Sequence, residues 1–289
     1  MEVMTPNLGR YGVTSPNIQN IQVQMGEAFY FLQTSPEYAM KRLLAEGSGA
    51  IYQITSAFRG GESGNRHNPE FTLLEWYRPS LNLQGLMEEL DELLSELCTC
   101  FQIQRGQATF VTYRDLFEFR FGENPHQLTL VQSLKLARQH FPNLMSHLNQ
   151  ESGVDDVLDL LFSAGIEPTL IEPHFVYNYP VSQAALAKIG LHCSDKVSLR
   201  FELFWKGMEL ANGYDELKDA KELSQRFVAD NNIRASKNLK QVSLDDTLLS
   251  ALEFMPDCTG VALGLDRLQM LLTDQSSIKD VLSFPIENA

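Results

Sequence analysis

The stretch that decides the fold is FRGGESGNRHNPEFTLLEWYR, residues 58–78. Apolar residues lie on both sides of a polar, glycine-rich segment at 60–64, which predicts two strands joined by a mobile loop. Arg59 ends the first strand and Phe71 lies on the second. A phosphate-binding guanidinium beside a flat ring suits a nucleoside triphosphate. An ordinary hairpin with a salt bridge explains the same residues equally well.

The composition is that of a soluble globular protein. Hydrophobic residues make up 44% and charged residues 21% of the 289 residues, enough chain to bury a substantial core. No apolar run approaches the ~20 residues that cross a bilayer, and no basic and apolar leader follows Met1. Cys98, Cys100, Cys193 and Cys258 are too scattered for a disulfide framework or a zinc site. We therefore expect a cytoplasmic protein without membrane contact.

The chain is strongly acidic. Its net charge is −14, from 37 acidic and 23 basic residues. Such a surface repels phosphate backbones. This argues against a protein whose main function is nucleic-acid binding. We expect no stable binding of tRNA or DNA.

Helical periodicity predicts most of the other elements. Ser35, Pro36 and Glu37 fit the start of a helix that runs to about Ala45. Glu37 also suits a first turn simply because a carboxylate there interacts favourably with the helix dipole. Further helices are predicted at residues 84–101, 113–119, 130–141, 154–164, 182–189 and 218–231, and a strand at 261–263 enters a helix near Asp266.

Two carboxylates occur on a predicted strand–turn–strand that begins at Val197. If Trp205 and Lys206 form the turn, Glu202 lies directly opposite Glu209. Like charges at such a pair are destabilising unless something neutralises them. A magnesium ion, which prefers carboxylate and phosphate oxygens, would do so. Arg200, on the same face as Glu202, would do so equally well as a structural ion pair.

Four blocks of the chain resemble class II aminoacyl-tRNA synthetases of the lysyl branch. Residues 66–77 are similar to motif 2 of that family, and residues 260–268 are similar to motif 3. Residues 34–38, before motif 2, and residues 207–217, between motifs 2 and 3, also agree with the lysyl pattern. The resemblance implies an α+β fold, an antiparallel sheet flanked by helices, in a single catalytic domain over residues 1–289 with a mainly helical insertion at about 113–190 and no anticodon-binding domain.

The resemblance also implies a site that uses ATP and Mg²⁺. Arg59 and Arg267 would act on the triphosphate, and Glu202 and Glu209 would hold the metal. Residues implied in ATP binding are Arg59, Gly61, Glu62, Asn68, Phe71, Glu209, Leu210, Gly264 and Arg267. Residues implied in binding a lysine-like substrate are Ser35, Glu37, Tyr77, Glu216 and Ala262, with Glu216 and Tyr77 receiving its side-chain amine.

Two features resemble the stand-alone lysyl-tRNA synthetase paralogues that modify elongation factor P. The chain has no room for an anticodon-reading OB-fold, and Ala262 stands where the lysyl-tRNA synthetases have glycine in motif 3. That group activates (R)-β-lysine and transfers it to a lysine ε-amine of elongation factor P. The resemblance therefore implies β-lysine or lysine as the small substrate and elongation factor P as the protein partner.

Two departures from the family pattern leave alternatives open. The family has Arg-x-Glu in motif 2, whereas here the third position is Gly61 and the acid follows at Glu62. Only residues 2–6 correspond to motif 1, which builds the family's dimer interface, so the sequence leaves the oligomeric state open and we expect any homodimer to be weakened. A catalytically silent ATP-binding paralogue is one alternative. A ligase of the asparagine synthetase A type is another, although Glu216 suits an amine better than a carboxylate.

Overall fold

The computed structural model describes residues 1–149 and 151–289, and the chain forms two compact units. One unit comprises residues 1–86 together with 216–289, and the other comprises residues 87–215. The prediction of a single catalytic domain over the whole chain stays a prediction. Among the described residues, no helix has both the length and the apolar character needed to cross a bilayer.

The secondary structure mixes strands and helices along the chain. The strands are β1 Leu8–Gly9, β2 Gln22–Met25, β3 Ala28–Leu32, β4 Ile51–Phe58, β5 Glu70–Pro79, β6 Thr109–Thr112, β7 His174–Tyr179, β8 Ile189–His192, β9 Asp195–Trp205, β10 Met208–Asp215 and β11 Cys258–Gly264. The helices are α1 Glu37–Ala45, α2 Leu83–Cys100, α3 Tyr113–Phe121, α4 Leu130–His140, α5 Val154–Gly165, α6 Ala220–Ser236, α7 Asp246–Leu252 and α8 Leu265–Leu272.

The first unit is organised around β5, the second strand of the predicted hairpin. β4 pairs antiparallel with one edge of β5, from Ile51 opposite Tyr77 to Phe58 opposite Glu70. β11 pairs antiparallel with the other edge. Strands β1, β3 and β2 form a separate antiparallel sheet in that order. The hairpin prediction is confirmed, and β5 is a central strand with partners on both sides.

The second unit packs helices against a mostly antiparallel set of strands. β9 lies between β10 and β7 and also pairs with β8, while β6 runs parallel to β7. Its core is aromatic and aliphatic and includes Val157 and Leu161 of α5, and Tyr113 and Phe117 of α3 stack on Phe162 of α5. Because antiparallel pairs dominate both units and helices flank them, the α+β prediction is confirmed.

The helix predicted at residues 182–189 is wrong. Residues Val181–Gln183 form only a short 3-10 turn, and β8 begins at Ile189. Ala185 has a φ of 46°, in the left-handed region that a right-handed helix cannot include. The chain then pairs with β9, from Ile189 opposite Ser198 to His192 opposite Asp195. Ala184 and Ala187 are buried, but they lie in the connection before β8 rather than on a helix face.

Candidate active site

Arg59 and Phe71 meet at the loop end of the β4–β5 hairpin. The guanidinium carbon of Arg59 lies 5.0 Å from the centroid of the Phe71 ring, an arrangement that contributes about 0.5–1 kcal/mol at partly exposed sites. The predicted pairing of a guanidinium with a flat ring is confirmed. The Nε of Arg59 is buried and no described group accepts its proton. An anion bound beside the ring would satisfy this donor.

Arg267 lies in the first turn of α8 and holds the loop of the hairpin. Its Nε donates to the carbonyl oxygen of Arg66 at 3.2 Å, and its Nη2 lies 2.6 Å from Nε2 of His67. The preceding residue, Asp266, accepts a hydrogen bond from the Thr72 amide at 2.6 Å. These contacts fix the start of α8 against β5 and its loop. Arg59 and Arg267 both belong to the first unit.

Asn68 anchors the end of the same loop. Its side-chain amide donates to the Glu70 carbonyl at 2.6 Å, and its Oδ1 accepts from the Ile286 amide at 3.1 Å. The side chain is 6% exposed. The Asn68 side chain therefore stabilises the end of the loop through two hydrogen bonds. The predicted roles of Asn68 and Glu62 in ATP binding stay predictions.

The glycine pair of the loop makes room for a residue that the sequence did not single out. The Gly60 amide donates to the Gln19 carbonyl at 2.8 Å. A Cβ on Gly60 would lie 2.9 Å from Cγ of Gln19, and one on Gly61 would lie 2.7 Å from its Oε1. Gly61 also has a φ of 74°. The side chain of Gln19 thus occupies the space that a motif 2 glutamate would need at position 61.

A buried acidic cluster lies between α1, β5 and the residue that follows β10. Lys41 Nζ lies 2.7 Å from Glu37 Oε1 and 2.6 Å from Glu216 Oε2. Glu75 accepts hydrogen bonds from Ser35 Oγ at 2.8 Å and from the Tyr77 hydroxyl at 2.7 Å. We call Glu37, Lys41, Glu75 and Glu216 the acid cluster. The predicted residues Ser35, Glu37, Tyr77 and Glu216 are brought together there.

Two members of the acid cluster, Glu75 and Lys41, were not predicted from the sequence. Glu75 lies two residues before Tyr77 on β5, and alternate residues of a strand face the same side. Lys41 lies four residues after Glu37 in α1, on the same helix face. Both spacings are visible in the sequence, but they match an ordinary helix ion pair and an ordinary strand residue equally well.

Burial controls the ionisation of the cluster. The Lys41 side chain is 0% and the Glu216 side chain 1% exposed. Burial raises the pKa of Glu216 to about 8, with Lys41 opposing the rise. Burial also raises the pKa of Glu75 to about 7, and nearby Glu37 adds to the rise. For Lys41, burial alone would lower the pKa, but Glu216 and Glu37 outweigh it and hold the pKa above its ordinary value. The cluster has three carboxylates and one ammonium, which pairs with Glu37 and Glu216 only, so the cluster is suited to a second cation.

β11 lines the acid cluster with small residues. Gly260 pairs with Tyr77, and Ala262 pairs with Glu75. A Cβ on Gly260 would lie 2.4 Å from the Tyr77 ring and 2.6 Å from Glu216 Oε1. Gly264 ends the strand as the N-cap of α8. The predicted substrate residue Ala262 therefore lies across from Glu75. At Gly260, any side chain would collide with Tyr77 and Glu216.

The second unit contains the other predicted carboxylates, and the predicted register between them is wrong. The turn is Lys206–Gly207, with φ values of 50° and 64°, and paired positive φ values match the twist of a tight hairpin. Glu209 therefore lies opposite Phe204, and Glu202 lies opposite Asn212. The register shifts between Glu209 and Ala211, so Leu210, which is buried, is the extra residue of a bulge.

Glu202 is neutralised from within its own unit. It forms an ion pair with Arg200 Nη2 and accepts a hydrogen bond from the Tyr179 hydroxyl at 2.8 Å. The Arg200 guanidinium lies 4.5 Å from the Tyr179 ring centroid. Burial raises the pKa of Glu202 to about 7, Arg200 lowers it, and Glu209 raises it further. The carboxylates of Glu202 and Glu209 are thus close enough to interact, and the ion pair left open by the sequence is present.

The two carboxylates of Glu202 and Glu209 fit magnesium only in combination with another ligand. Among residues 1–149 and 151–289, no group of three or more His, Cys, Asp or Glu side chains is arranged to hold a metal ion. Magnesium is commonly held by one or two carboxylates together with substrate phosphates. Glu202 and Glu209 would supply the two carboxylates, and the phosphates would come from a bound nucleotide.

Comparison with known proteins identifies the family. The model of class II tRNA synthetases (D, K and N) matches residues 1–288. The chain is 45% identical to the elongation factor P–(R)-β-lysine ligase of Pseudoalteromonas translucida (strain TAC 125), covering all of this chain and 90% of that protein. It is 42% identical to the protein of that name from Haemophilus influenzae (strain PittGG) and 40% identical to that of Yersinia pestis (strain Pestoides F), covering 89% of each. The chain therefore belongs to the class II tRNA synthetase family.

Proposed function

We propose that this protein activates (R)-β-lysine, or lysine, with ATP and transfers it to a lysine ε-amine of elongation factor P. The observation that carries the proposal is the acid cluster, in which three carboxylates lie near a single ammonium that pairs with only two of them. Such a cluster favours a substrate that brings its own ammonium group. The similar proteins from three bacteria that bear the name of this ligase support the same substrates.

The reaction has two steps, and positioning matters in each. A carboxylate oxygen of the amino acid attacks the α-phosphorus of ATP, and pyrophosphate leaves with the broken P–O bond. The acceptor amine then attacks the carbonyl carbon, an amide forms, and AMP leaves. In this proposal Arg59 binds the α-phosphate, Arg267 the γ-phosphate, and Phe71 stacks on the adenine. Phosphoryl transfer of this kind depends on charge neutralisation and alignment.

The remaining predicted roles follow from the same assignment. Glu202 and Glu209 would hold Mg²⁺, which neutralises phosphate charge when bound. The excess of acidic residues supports a protein rather than a tRNA acceptor. We propose that the protein acts in the cytoplasm and that any homodimer is weak.

The proposed function is tested by ATP–pyrophosphate exchange with purified protein. We expect exchange that depends on (R)-β-lysine, with α-lysine a poorer substrate, and incorporation of labelled β-lysine into elongation factor P. More efficient use of α-lysine together with tRNA would show that the assignment is wrong.

One observation favours a second function, a silent ATP-binding paralogue. Position 61 lacks the motif 2 acid, and Gln19 fills the space. Calorimetry distinguishes the two functions, because a silent paralogue would bind ATP with magnesium and form no adenylate with any amino acid.

Gly260→Ala should close the amino-acid pocket without affecting ATP. Its Cβ would lie 2.4 Å from the buried Tyr77 ring and 2.6 Å from Glu216, so these groups must move. We expect KM for the amino acid to rise about tenfold or more, which corresponds to roughly 1.4 kcal/mol, while KM for ATP changes little. Gly64→Ala is the matched control, because no atom lies within 4 Å of a Cβ at that position. Equal effects on both substrates would contradict this placement of the pocket.

Glu209→Gln should raise the magnesium concentration needed for half-maximal exchange. The substitution removes one charged oxygen ligand, and a contact to a charged group contributes about 1.5–3 kcal/mol, so we expect about a tenfold increase. Magnesium titrations of exchange at saturating ATP measure it. Glu92→Gln on the exposed face of α2 is the control, and an unchanged magnesium requirement in Glu209→Gln would remove this residue from the metal site.

A further inference from the structure

We propose that Lys41 is a positioning residue for amino-acid binding, whose fixed ammonium orients Glu37 and Glu216 and favours the ionised form of Glu216 for the incoming substrate ammonium. This inference rests on the proposed function and adds a role to a residue outside the sites predicted from the sequence. Lys41 does not contact ATP or the reacting atoms in this proposal. It acts through Glu37 and Glu216.

The geometry places Lys41 at the centre of the cluster. Its Nζ bridges Glu37 on its own helix and Glu216 from the chain after β10, at 2.7 Å and 2.6 Å. The amine is completely shielded from solvent, while the Glu37 side chain remains 17% exposed. The two carboxylates are therefore oriented by one internal cation, and Glu37 is the member that is partly open to solvent.

The third carboxylate is held differently. Glu75 accepts hydrogen bonds from Ser35 Oγ and from the Tyr77 hydroxyl, and both donors are neutral. Lys41 lowers the pKa of Glu75 only as a weaker influence, after burial and Glu37 have raised it. The cluster is thus divided into two carboxylates paired with Lys41 and one that has no cation of its own. A substrate ammonium would supply the cation that this arrangement lacks.

Without bound substrate, the charge of Lys41 influences how many carboxylates of the acid cluster are protonated. A buried carboxylate without a nearby cation keeps its proton, and a protonated acid attracts an ammonium weakly. The groups that face one another here are Glu37 and Lys41 of α1, Glu75 and Tyr77 of β5, and Glu216. Removing the Lys41 charge would raise the pKa of Glu75 and Glu216, so these two acids would ionise only at higher pH.

The sign of the pH dependence follows directly. An ammonium binds the ionised cluster, so affinity rises as pH rises through the pKa values of the empty cluster, about 7 for Glu75 and about 8 for Glu216. With Lys41→Met, the same rise occurs at higher pH. A merely structural lysine would leave the position of this curve unchanged.

The test is calorimetric titration of (R)-β-lysine into the full chain at pH 6 to 9. In Lys41→Met we expect binding about tenfold weaker at pH 7 and a pH curve displaced upward by about one unit, since one unit corresponds to tenfold. The affinity for ATP should not change. Lys279→Met is the matched control, because it removes an exposed lysine paired with Glu287 at 2.6 Å.

The outcomes separate this inference from the proposed function. Unchanged or tighter β-lysine binding at pH 7 in Lys41→Met, with normal wild-type binding, overturns this inference alone. No binding of β-lysine or lysine to the wild type overturns both. If Lys41→Met does not fold, Glu216→Gln is compared with Lys41→Met/Glu216→Gln. Adding Lys41→Met to Glu216→Gln should then weaken β-lysine binding by less than about threefold, because the effects of coupled residues are not additive. A full tenfold additional loss of affinity overturns the inference.

Discussion

Arg59→Ala should reduce amino-acid-dependent ATP–pyrophosphate exchange by about 10²–10³-fold, the usual cost of removing one preorganised donor from a charged transition state. The loss should appear mainly in kcat, because charge builds on the α-phosphate as the pentacoordinate arrangement forms. In the structure the Arg59 guanidinium already lies 5.0 Å from the Phe71 centroid, and its Nε is a buried donor without a described acceptor. The side chain is therefore placed before the nucleotide arrives.

Single-turnover measurement of adenylate formation would check this expectation. Arg138→Ala is the matched control, because Arg138 is exposed on α4 and lies outside the proposed site. Arg59→Lys is also informative, since a lysine keeps the charge but cannot offer the planar fork of donors. Adenylate formation at the wild-type rate in Arg59→Ala would rule out the assignment of Arg59 to the α-phosphate.

Glu216→Gln should combine the loss of substrate binding with a loss of stability. We expect KM for β-lysine to rise about 100-fold, which corresponds to about 2.7 kcal/mol, because a neutral amide replaces a carboxylate in a site that excludes water. Breaking a buried ion pair costs about 3–5 kcal/mol when one charge stays buried. The cost here should lie at or below the lower end, because Lys41 keeps Glu37 as a partner at 2.7 Å.

Steady-state kinetics and thermal unfolding of the same sample separate these two effects. A folded Glu216→Gln protein with a normal KM for ATP and a raised KM for β-lysine supports a binding role. Glu253→Gln, on an exposed position after α7, is the control. A lowered Tm accompanied by an unchanged KM for β-lysine would leave Glu216 with a structural role only.

The parts of the structure that local sequence determines could be predicted. The β4–β5 hairpin has strong apolar runs on both sides of a glycine-rich segment, and α1 has a clear start at Ser35 and Pro36. Ser35 Oγ accepts a hydrogen bond from the Glu37 amide at 3.0 Å, which is the expected stabilisation of the first turn. The strand before α8 was also predictable, because Gly264 and Asp266 mark the change from strand to helix.

The features that were missed depend on backbone conformation or on distant residues. The β9–β10 register depends on left-handed conformations at both Lys206 and Gly207, and only the glycine signals such a conformation in the sequence. A turn displaced by one residue, followed by a bulge, changed the partner of Glu202 from Glu209 to Asn212. Ala185 gives no sequence signal for its positive φ either.

Within the candidate site, the carboxylates could be predicted but their partners could not. The resemblance carried Glu37, Tyr77 and Glu216 to one pocket, and the structure brings them together. Lys41 and Glu75 complete the acid cluster through contacts between α1, β5 and the chain after β10. Pairings between segments more than 30 positions apart have no signature in one sequence, because side-chain type alone does not specify which partner is reached.

The position of Gln19 against Gly60 and Gly61 makes the effect of a side chain at position 61 depend on the residue at position 19. A glutamate introduced at position 61 would meet the Gln19 carboxamide and would also have to adopt a φ of 74°, so that substitution alone should be harmful. Shortening Gln19 to alanine first would open the space. Gln19→Ala should therefore lessen the cost of Gly61→Glu by removing the contact with the carboxamide, while the cost of the positive φ stays.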